Sequence, residues 1–397
     1  MKKIVLSAIA VVTLGTVSVS ALDLYQDVNG QVFTSNAQGR TLIKDKSVNV
    51  FSKADKLKFS GLTYIGATVN DFKDTSKATT AQMEIRRAYF QLKAYFMEDP
   101  KSYYRVTFDM SKDVTGDEKL RAKYAYIYLN NILPSTGVEI GLAHRPWHDY
   151  EEHNSWYFRN ISKVLIEDKV HGPDLSNSAD FGVMFKTRTQ YFDADYGIFN
   201  GEGYHAYQVA QNGVSFEWRI TAHLMGVSGK DKQTEKTYWD ASFFGQYNVK
   251  HKQVDDGNTP TTVYGYDDLR FGGLHTVYNQ PNFLIAAQYV KSLDTRDNNS
   301  AESVNTGSSI SKQAGSGYSS NIEYRLGNEK EYRILGRYDV WTPKSQVKDK
   351  GYILGAAWEQ NKNIQWVANA IITDNTAGSA KEANNGTAYM LTAEVRF

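Results

Sequence analysis

Between Pro146 and Ser178 the chain concentrates groups that could do chemistry. The stretch RPWHDYEEHNSWYFRNISKVLIEDKVHGPD sets Arg145, Arg159, Lys163 and Lys169 against Asp149, Glu151, Glu152, Glu167, Asp168 and Asp174. His144, His148 and His153, at spacings of four and five, lie beside Glu151 and Glu152. Imidazoles and carboxylates together are donors that Zn and Cu accept. The chain has no Cys and no paired helical motif such as H-E-x-x-H, so no metal site is assigned. Asp294, Asp297 and Asn299 could hold calcium only loosely, in a spacing common to flexible loops. Covalent catalysis finds no support either: there is no G-x-S-x-G elbow and no persuasive His–Ser pairing. The chain therefore reads as no enzyme, with no cofactor. The use left for these charges is electrostatic, since fixed charges in a narrow, partly desolvated channel bias which ions and solutes enter.

Charges in a channel need walls. From Leu57 onward, amphipathic stretches of about ten residues recur sixteen times. They lie near 57–70, 81–97, 102–111, 120–130, 137–145, 179–188, 190–200, 215–226, 237–250, 267–278, 281–292, 317–326, 331–342, 350–359, 362–373 and 387–397. In the second, Ala88, Phe90, Leu92, Ala94 and Phe96 alternate with Arg87, Tyr89, Gln91, Lys93 and Tyr95. Alternation of this kind puts one row on each face of a β-strand. Such strands either bury the apolar face in a sandwich or turn it to lipid around a wet lumen. Connection lengths favour the second arrangement. Gaps after even-numbered stretches are mostly short; those after odd-numbered ones are longer, at 112–119, 146–178, 201–214, 251–266, 293–316 and 374–386. Short turns at one end and long loops at the other are expected of an even-stranded barrel. VSGKDKQTEK (227–236) is the misfit, a long stretch where a short turn belongs.

Composition agrees with this. The chain is hydrophilic on average yet carries 27 Tyr, 18 Phe and 7 Trp, as one-sided strands require. Formal charge is +1, and −1 once Lys2 and Lys3 are removed, which does not suggest nucleic acid as a partner. Lys2 and Lys3 precede an apolar run from Ile4 to Val19, and Val19-Ser20-Ala21 closes it with small residues. Residues 1–21 are expected to be a signal peptide, 22–56 a short periplasmic segment with a hairpin at Asn29-Gly30, and 57–397 the barrel. At the other end YMLTAEVRF alternates up to Phe397. An apolar edge strand invites aggregation unless closure pairs it. The strand resembles the closing strand of bacterial outer-membrane barrels, in which a terminal Phe addresses the assembly machinery. Trp239, Trp341, Trp358 and Trp366 are expected at the lipid–water interfaces.

The expected fold is all-β, a 16-stranded antiparallel transmembrane β-barrel. EIRRAYFQLKAYF, SYYRVTFDMS, AYIYLN, VEIGLAHRP and FNGEG are similar to the phosphate-selective (O and P type) porin family. Its pattern meets Arg86 and Arg87, Arg105 with Asp109, Gly141 with Pro146, and Asn200-Gly201. The resemblance covers roughly residues 57–203, and the remainder by architecture alone. It implies a homotrimeric water-filled channel in the bacterial outer membrane, with lipid around it, small hydrophilic solutes and ions passing through it, and a third outer loop folded inward as the constriction. That family's phosphate selectivity depends on a lysine cluster in this loop, which the present loop lacks. Expected pore-lining or constriction residues are Arg87, Lys93, Arg105, Asp109, Arg145, His148, Glu151, Glu152, Arg159, Arg333 and Arg337. By alternation Arg121, Lys123, Arg219, Arg270 and Arg325 also point inward, as do Asp193, Asp195, Glu217, Asp240 and Glu323. Arginines opposite the loop's carboxylates would set up a transverse field, giving a weakly anion-preferring or near-neutral channel. The competing readings are a secreted β-sandwich adhesin or lectin and an outer-membrane barrel hydrolase.

Overall fold

The computed structural model describes residues 25–27, 32–33, 37–42, 57–95, 99–112, 115–205, 213–255, 263–293, 314–343, 347–379 and 381–397. The expected signal peptide, the polar linker 44–56 and the candidate calcium ligands Asp294, Asp297 and Asn299 lie outside these residues. The chain divides into two compact units, Met1–Asp55 and Lys56–Phe397. In the first, β1 (Tyr25–Asp27), β2 (Val32–Phe33) and β3 (Arg40–Leu42) form an antiparallel sheet in the order β2-β1-β3. The pairing of β1 with β2 is that of the expected hairpin, whose Asn29-Gly30 turn is outside the described residues.

The second unit is a closed antiparallel barrel. Its strands are β4 (Leu57–Phe72), β5 (Thr80–Ala94), β6 (Tyr103–Lys112), β7 (Glu118–Leu133), β8 (Thr136–His144) and β9 (Ala179–Arg188). Next come β10 (Phe192–Phe199), β11 (Ser215–His223), β12 (Tyr238–Asp255), β13 (Val263–Gln280) and β14 (Phe283–Leu293). β15 (Gly315–Leu326), β16 (Tyr332–Pro343), β17 (Asp349–Asn361), β18 (Ile364–Thr373) and β19 (Gly386–Arg396) complete the circuit. Every strand pairs with its sequence neighbour, and β19 pairs with β4 to close the ring. All sixteen expected strands are present. Closure leaves no edge, so every strand's backbone groups are paired within the wall, as a bilayer requires.

One row of each strand is exposed and apolar, as with Ile220, Ile334 and Leu354, while the other carries buried polar groups such as Arg219, Asp195 and Asp240. Trp239, Trp358 and Trp366 sit on the exposed face. Trp341 does not: it is 0% exposed and belongs to an internal apolar cluster, so the interface role expected of it is wrong. Arg270, expected inward, lies exposed over the Tyr247 ring, whereas its neighbours Leu269 and Phe271 are buried.

Closure involves the last residue as well. Phe397 donates its N–H to the Gly61 carbonyl at 3.1 Å and accepts from the Gly61 N–H at 2.8 Å. Its ring lies 6.2 Å from that of Phe90 and occupies the space that a Cβ on Gly61 would take. Phe397→Ser and Gly61→Val should each cut the yield of folded barrel severalfold relative to the wild type, as judged by the mobility difference between unboiled and boiled samples on SDS gels. Unchanged yields would contradict this view of the seam.

Two β-bulges change the alternation on one side of the barrel. Tyr64 faces Arg87 and Ile65 faces Ile85, which makes Arg86 an extra residue in β5. Thr107 faces Tyr124 and Phe108 faces Ala122, which makes Lys123 extra in β7. A bulge lets two successive side chains share a face. Arg86 and Arg87 thus both meet buried-row partners, as do Lys123 and Tyr124.

The β8–β9 connection carries α1 (Pro146–Asn154) and a 3₁₀ turn at Leu165–Glu167. Proline at the first helical turn costs no hydrogen bond and presets φ. This segment hydrogen-bonds to the inward row on strands around much of the ring. Arg219 (β11) donates to the Pro146 carbonyl at 3.2 Å and Tyr150 Oη to Asp240 (β12) at 2.9 Å. Asn321 (β15) donates to Ser155 O at 3.0 Å and Arg337 (β16) to Lys163 O at 3.0 Å. Asn160 Nδ2 reaches Gln365 (β18) at 3.1 Å and Glu394 (β19) at 2.8 Å, and Arg86 (β5) donates to its carbonyl at 2.8 Å. Apolar packing reinforces these bonds: Trp147, Trp156, Phe158, Leu165 and Ile166 cluster with Phe244, Leu269, Phe271, Leu335 and Ile353.

Candidate permeation site

A cavity of about 460 Å³ lies between β4–β8 and the α1 segment. The strand side presents Tyr64, Tyr89, Gln91, Arg105, Thr107, Lys123, Tyr124 and His144. The segment side presents Asp149, Glu152, His153, Tyr157 and Arg159. Asp231, Gln233, Arg333, Glu359, Gln365, Glu394 and Arg396 also contribute. Formal charge along the lining balances, with five Lys or Arg against five carboxylates.

Pairing does not balance in the same way. Glu152 is 2.9 Å from Arg159, and Asp149 is 2.8 Å from Lys230. Glu359 pairs with Arg396 and Arg333, Glu394 with Arg396, and Asp231 with His153. Among the described residues, Arg105 and Lys123 have no carboxylate within ion-pair distance. The Arg105 guanidinium lies 4.7 Å from the Tyr124 ring centre, donates to Tyr126 Oη at 3.3 Å and meets His144 Nε2 at 3.2 Å. The Lys123 ammonium lies 4.9 Å from the Tyr89 ring centre and 5.3 Å from that of Tyr124. A ring quadrupole holds a cation without cancelling its charge. The β5–β7 wall therefore keeps a positive surplus facing the Asp149 and Glu152 side.

The expected site residues are distributed unevenly. Arg105, Glu152, Arg159 and Arg333 line the cavity. Arg87 pairs with Asp109 at 2.9 Å, and Lys93 sits 4.7 Å from the Tyr103 ring centre. Arg145 is buried between Asp180 and Glu217, at 3.3 and 2.8 Å. Arg337 is buried with Asp339 at 2.9 Å and lies over the Trp156 ring. His144, His148 and His153 hydrogen-bond to Glu139, the Ser176 carbonyl and Asp231 respectively, and Asp149 Oδ1 lies 3.9 Å from His144 and 3.5 Å from His153. Among the described residues, no three metal-ligating side chains gather. Tyr64, Tyr124, Lys230 and Asp231 are not anticipated from the sequence, whereas Asp149 and Tyr89 are placed there in the loop and on the inward row without a role in the lining. The available signal was the tyrosine at alternate positions of β7 (Tyr124, Tyr126, Tyr128), and the overlong turn 224–237.

That turn reaches the α1 segment. Asp231 N–H donates to the His153 carbonyl at 3.0 Å, and Lys230 pairs with Asp149. Burial opposes the charge of His153, yet its hydrogen bond to Asp231 and the Asp149 carboxylate outweigh that and raise its pKa above the ordinary value. A raised histidine pKa holds the link fully below about 6.5 and releases it as pH climbs through the raised value. If the barrel conducts, current noise should therefore grow as pH is raised from about 6 through and beyond that raised value. His153→Gln should show the noisier trace at either end of that range; a wild-type-like step in that variant would contradict the assignment.

Glu151 is buried, accepting from Trp147 Nε1 at 2.6 Å and from Gln288 Nε2 at 2.5 Å. Burial pushes its carboxyl up to about 8, against the pull of Arg337 and the Trp147 N–H. Stability is then highest below the ordinary carboxyl value near 4.3 and falls as pH rises toward 8. Glu151→Gln keeps the shape and removes that loss, and turning the Gln288 amide over lets its unsatisfied Oε1 accept from the new NH2 in place of the bond its Nε2 now donates. Its Tm should exceed the wild type's at about pH 8 and match it at about pH 4. A lower Tm at the alkaline end would contradict a neutral Glu151.

No protein-family model matches the chain, and no curated protein matches it. Solved structures do. The barrel is similar to the anion-selective porin from Comamonas acidovorans, with TM-score 0.59 and 12% identity over 86% of this chain and 99% of that one. It is similar to a loop L8 deletion mutant of OmpT, an outer membrane protein of Vibrio cholerae, with TM-score 0.55, 12% identity and coverages of 86% and 99%. A mutant of Rh. blastica porin gives TM-score 0.52, 10% identity and coverages of 86% and 100%. At these identities the likeness is one of fold: the chain has the sixteen-stranded barrel that porins have.

Proposed function

We propose that the protein is an outer-membrane porin through which ions and small hydrophilic solutes diffuse passively, with a weak preference for anions. The observation that carries this reading is the charged cavity between the β4–β8 wall and the α1 segment, inside a closed barrel with an apolar exposed face. The segment acts as the constriction, folded into the lumen, because its partners are buried-row residues around the ring. Anion preference follows from Arg105 and Lys123, which among the described residues form no direct ion pair with a carboxylate. It is weak because the lining as a whole is balanced. The likeness to the phosphate-selective family adds phosphate as a candidate solute, although the segment's Lys163 and Lys169 are matched by Glu167 and Asp174. The porin works as a homotrimer, delivered by the barrel assembly machinery through the strand ending in Phe397. Proteoliposome swelling tests permeation: small sugars and amino acids should enter rapidly and trisaccharides slowly. Liposomes that swell no faster than protein-free ones would contradict it.

A further inference from the structure

The cations of the β5–β7 wall are interleaved with aromatic rings rather than with carboxylates. Starting at the short-turn end, the Lys58 ammonium lies 5.1 Å from the Tyr95 ring centre, and Tyr95 is 5.4 Å from Tyr103. Tyr103 carries Lys93 at 4.7 Å and contacts Tyr128 at 5.1 Å and Tyr126 at 6.2 Å. Tyr126 leads to Tyr124 at 6.4 Å, with Arg105 over both rings. Lys123 then bridges Tyr124 to Tyr89, which lies 6.4 Å from Tyr64. Cross-strand register produces this order, since Lys58 faces Lys93, Lys93 faces Arg105, and Arg105 faces Tyr126.

General ion selectivity needs only charge. A file of rings broken only where Lys123 bridges Tyr124 to Tyr89 does something more: it offers apolar faces and edges beside the positive charges. Ring–ring contact adds to area burial, and a cation already seated on a ring still attracts an anion. The nearby carboxylates do not compete for the wall, being engaged elsewhere: Asp109 with Arg87, Glu139 with Lys186, Glu152 with Arg159. From this we infer that the β5–β7 wall is a binding track for organic anions whose carboxylate is carried on a flat aromatic ring, of the benzoate kind. The carboxylate meets Arg105 or Lys123 while the ring packs on Tyr89, since the Tyr124 ring already lies against His144 with centroids 4.2 Å apart. The inference rests on the porin reading and names its solute class.

Block of single-channel chloride current tests it, using sodium benzoate against acetate, glucuronate and phosphate at equal ionic strength. Benzoate should half-block at a concentration roughly tenfold below acetate, with glucuronate and phosphate near acetate. Tyr89→Leu should shrink the benzoate-to-acetate ratio about three- to tenfold, and Tyr89→Phe should retain it. Lys123→Gln should raise the half-blocking concentration of both carboxylates. An equal response to benzoate and acetate, stronger block by phosphate or glucuronate, or a ratio unchanged in Tyr89→Leu would overturn the inference alone. A wild-type protein that passes no chloride would overturn the porin reading and this inference with it.

Discussion

Arg105→Gln combined with Lys123→Gln should convert an anion-leaning channel into a cation-selective one. Both cations line the cavity and, among the described residues, neither forms an ion pair with a carboxylate, so their removal leaves three Lys or Arg against five carboxylates along the lining. A unit charge about 7 Å from a passing ion is worth about 0.6 kcal/mol in water, and more beside a low-dielectric wall. Two such charges act with opposite sign on chloride and on sodium. After screening by salt, the permeability ratio should move by roughly tenfold. Arg145→Gln is the contrasting case, because Arg145 is buried between Asp180 and Glu217 away from the cavity lining. It should lower folded yield while leaving the ratio within about twofold in the protein that does fold. Equal shifts in the two variants would show that selectivity does not reside in the β5–β7 wall.

The second large effect concerns what holds the constriction. Trp156 is 1% exposed, its ring lies against Phe158 and under the Arg337 guanidinium, and its indole N–H donates to Ser162 O at 3.1 Å. Truncating a buried tryptophan to alanine costs about 3–5 kcal/mol. Here the loss falls on the 145–178 segment, because the barrel's own ladder does not use Trp156. Trp156→Ala should therefore still assemble, show a larger and noisier conductance, and become cleavable by protease within the segment. Wild-type conductance and protease resistance would mean that the apolar cluster does not anchor the constriction.

The barrel was legible because period-2 alternation and connection length are local properties. Each of the sixteen expected stretches overlaps one strand, and the misfit at 227–236 marked a turn that reaches α1 through Lys230 and Asp231. The inner surface was less legible. Alternation assigns faces but says nothing of what covers the inward one, and on β12–β18 that covering is the apolar side of the α1 segment. Trp341 is therefore internal, and β13 turns Leu269 and Phe271 inward and Arg270 outward. A bulge shifts the phase by one residue without any compositional mark beyond two adjacent long polar or aromatic side chains, as at Arg86-Arg87 and Lys123-Tyr124. Pair partners such as Asp180 and Glu217 for Arg145 depend on contacts between distant segments, which spacing along the chain does not encode.

Planar-bilayer recording of the purified protein in a salt gradient tests the central claim most directly. Stepwise conductance with a reversal potential displaced modestly toward chloride is the expected result. A reversal potential favouring the cation would keep the channel but contradict the assignment of selectivity to Arg105 and Lys123, and an absence of conductance steps would contradict the porin itself.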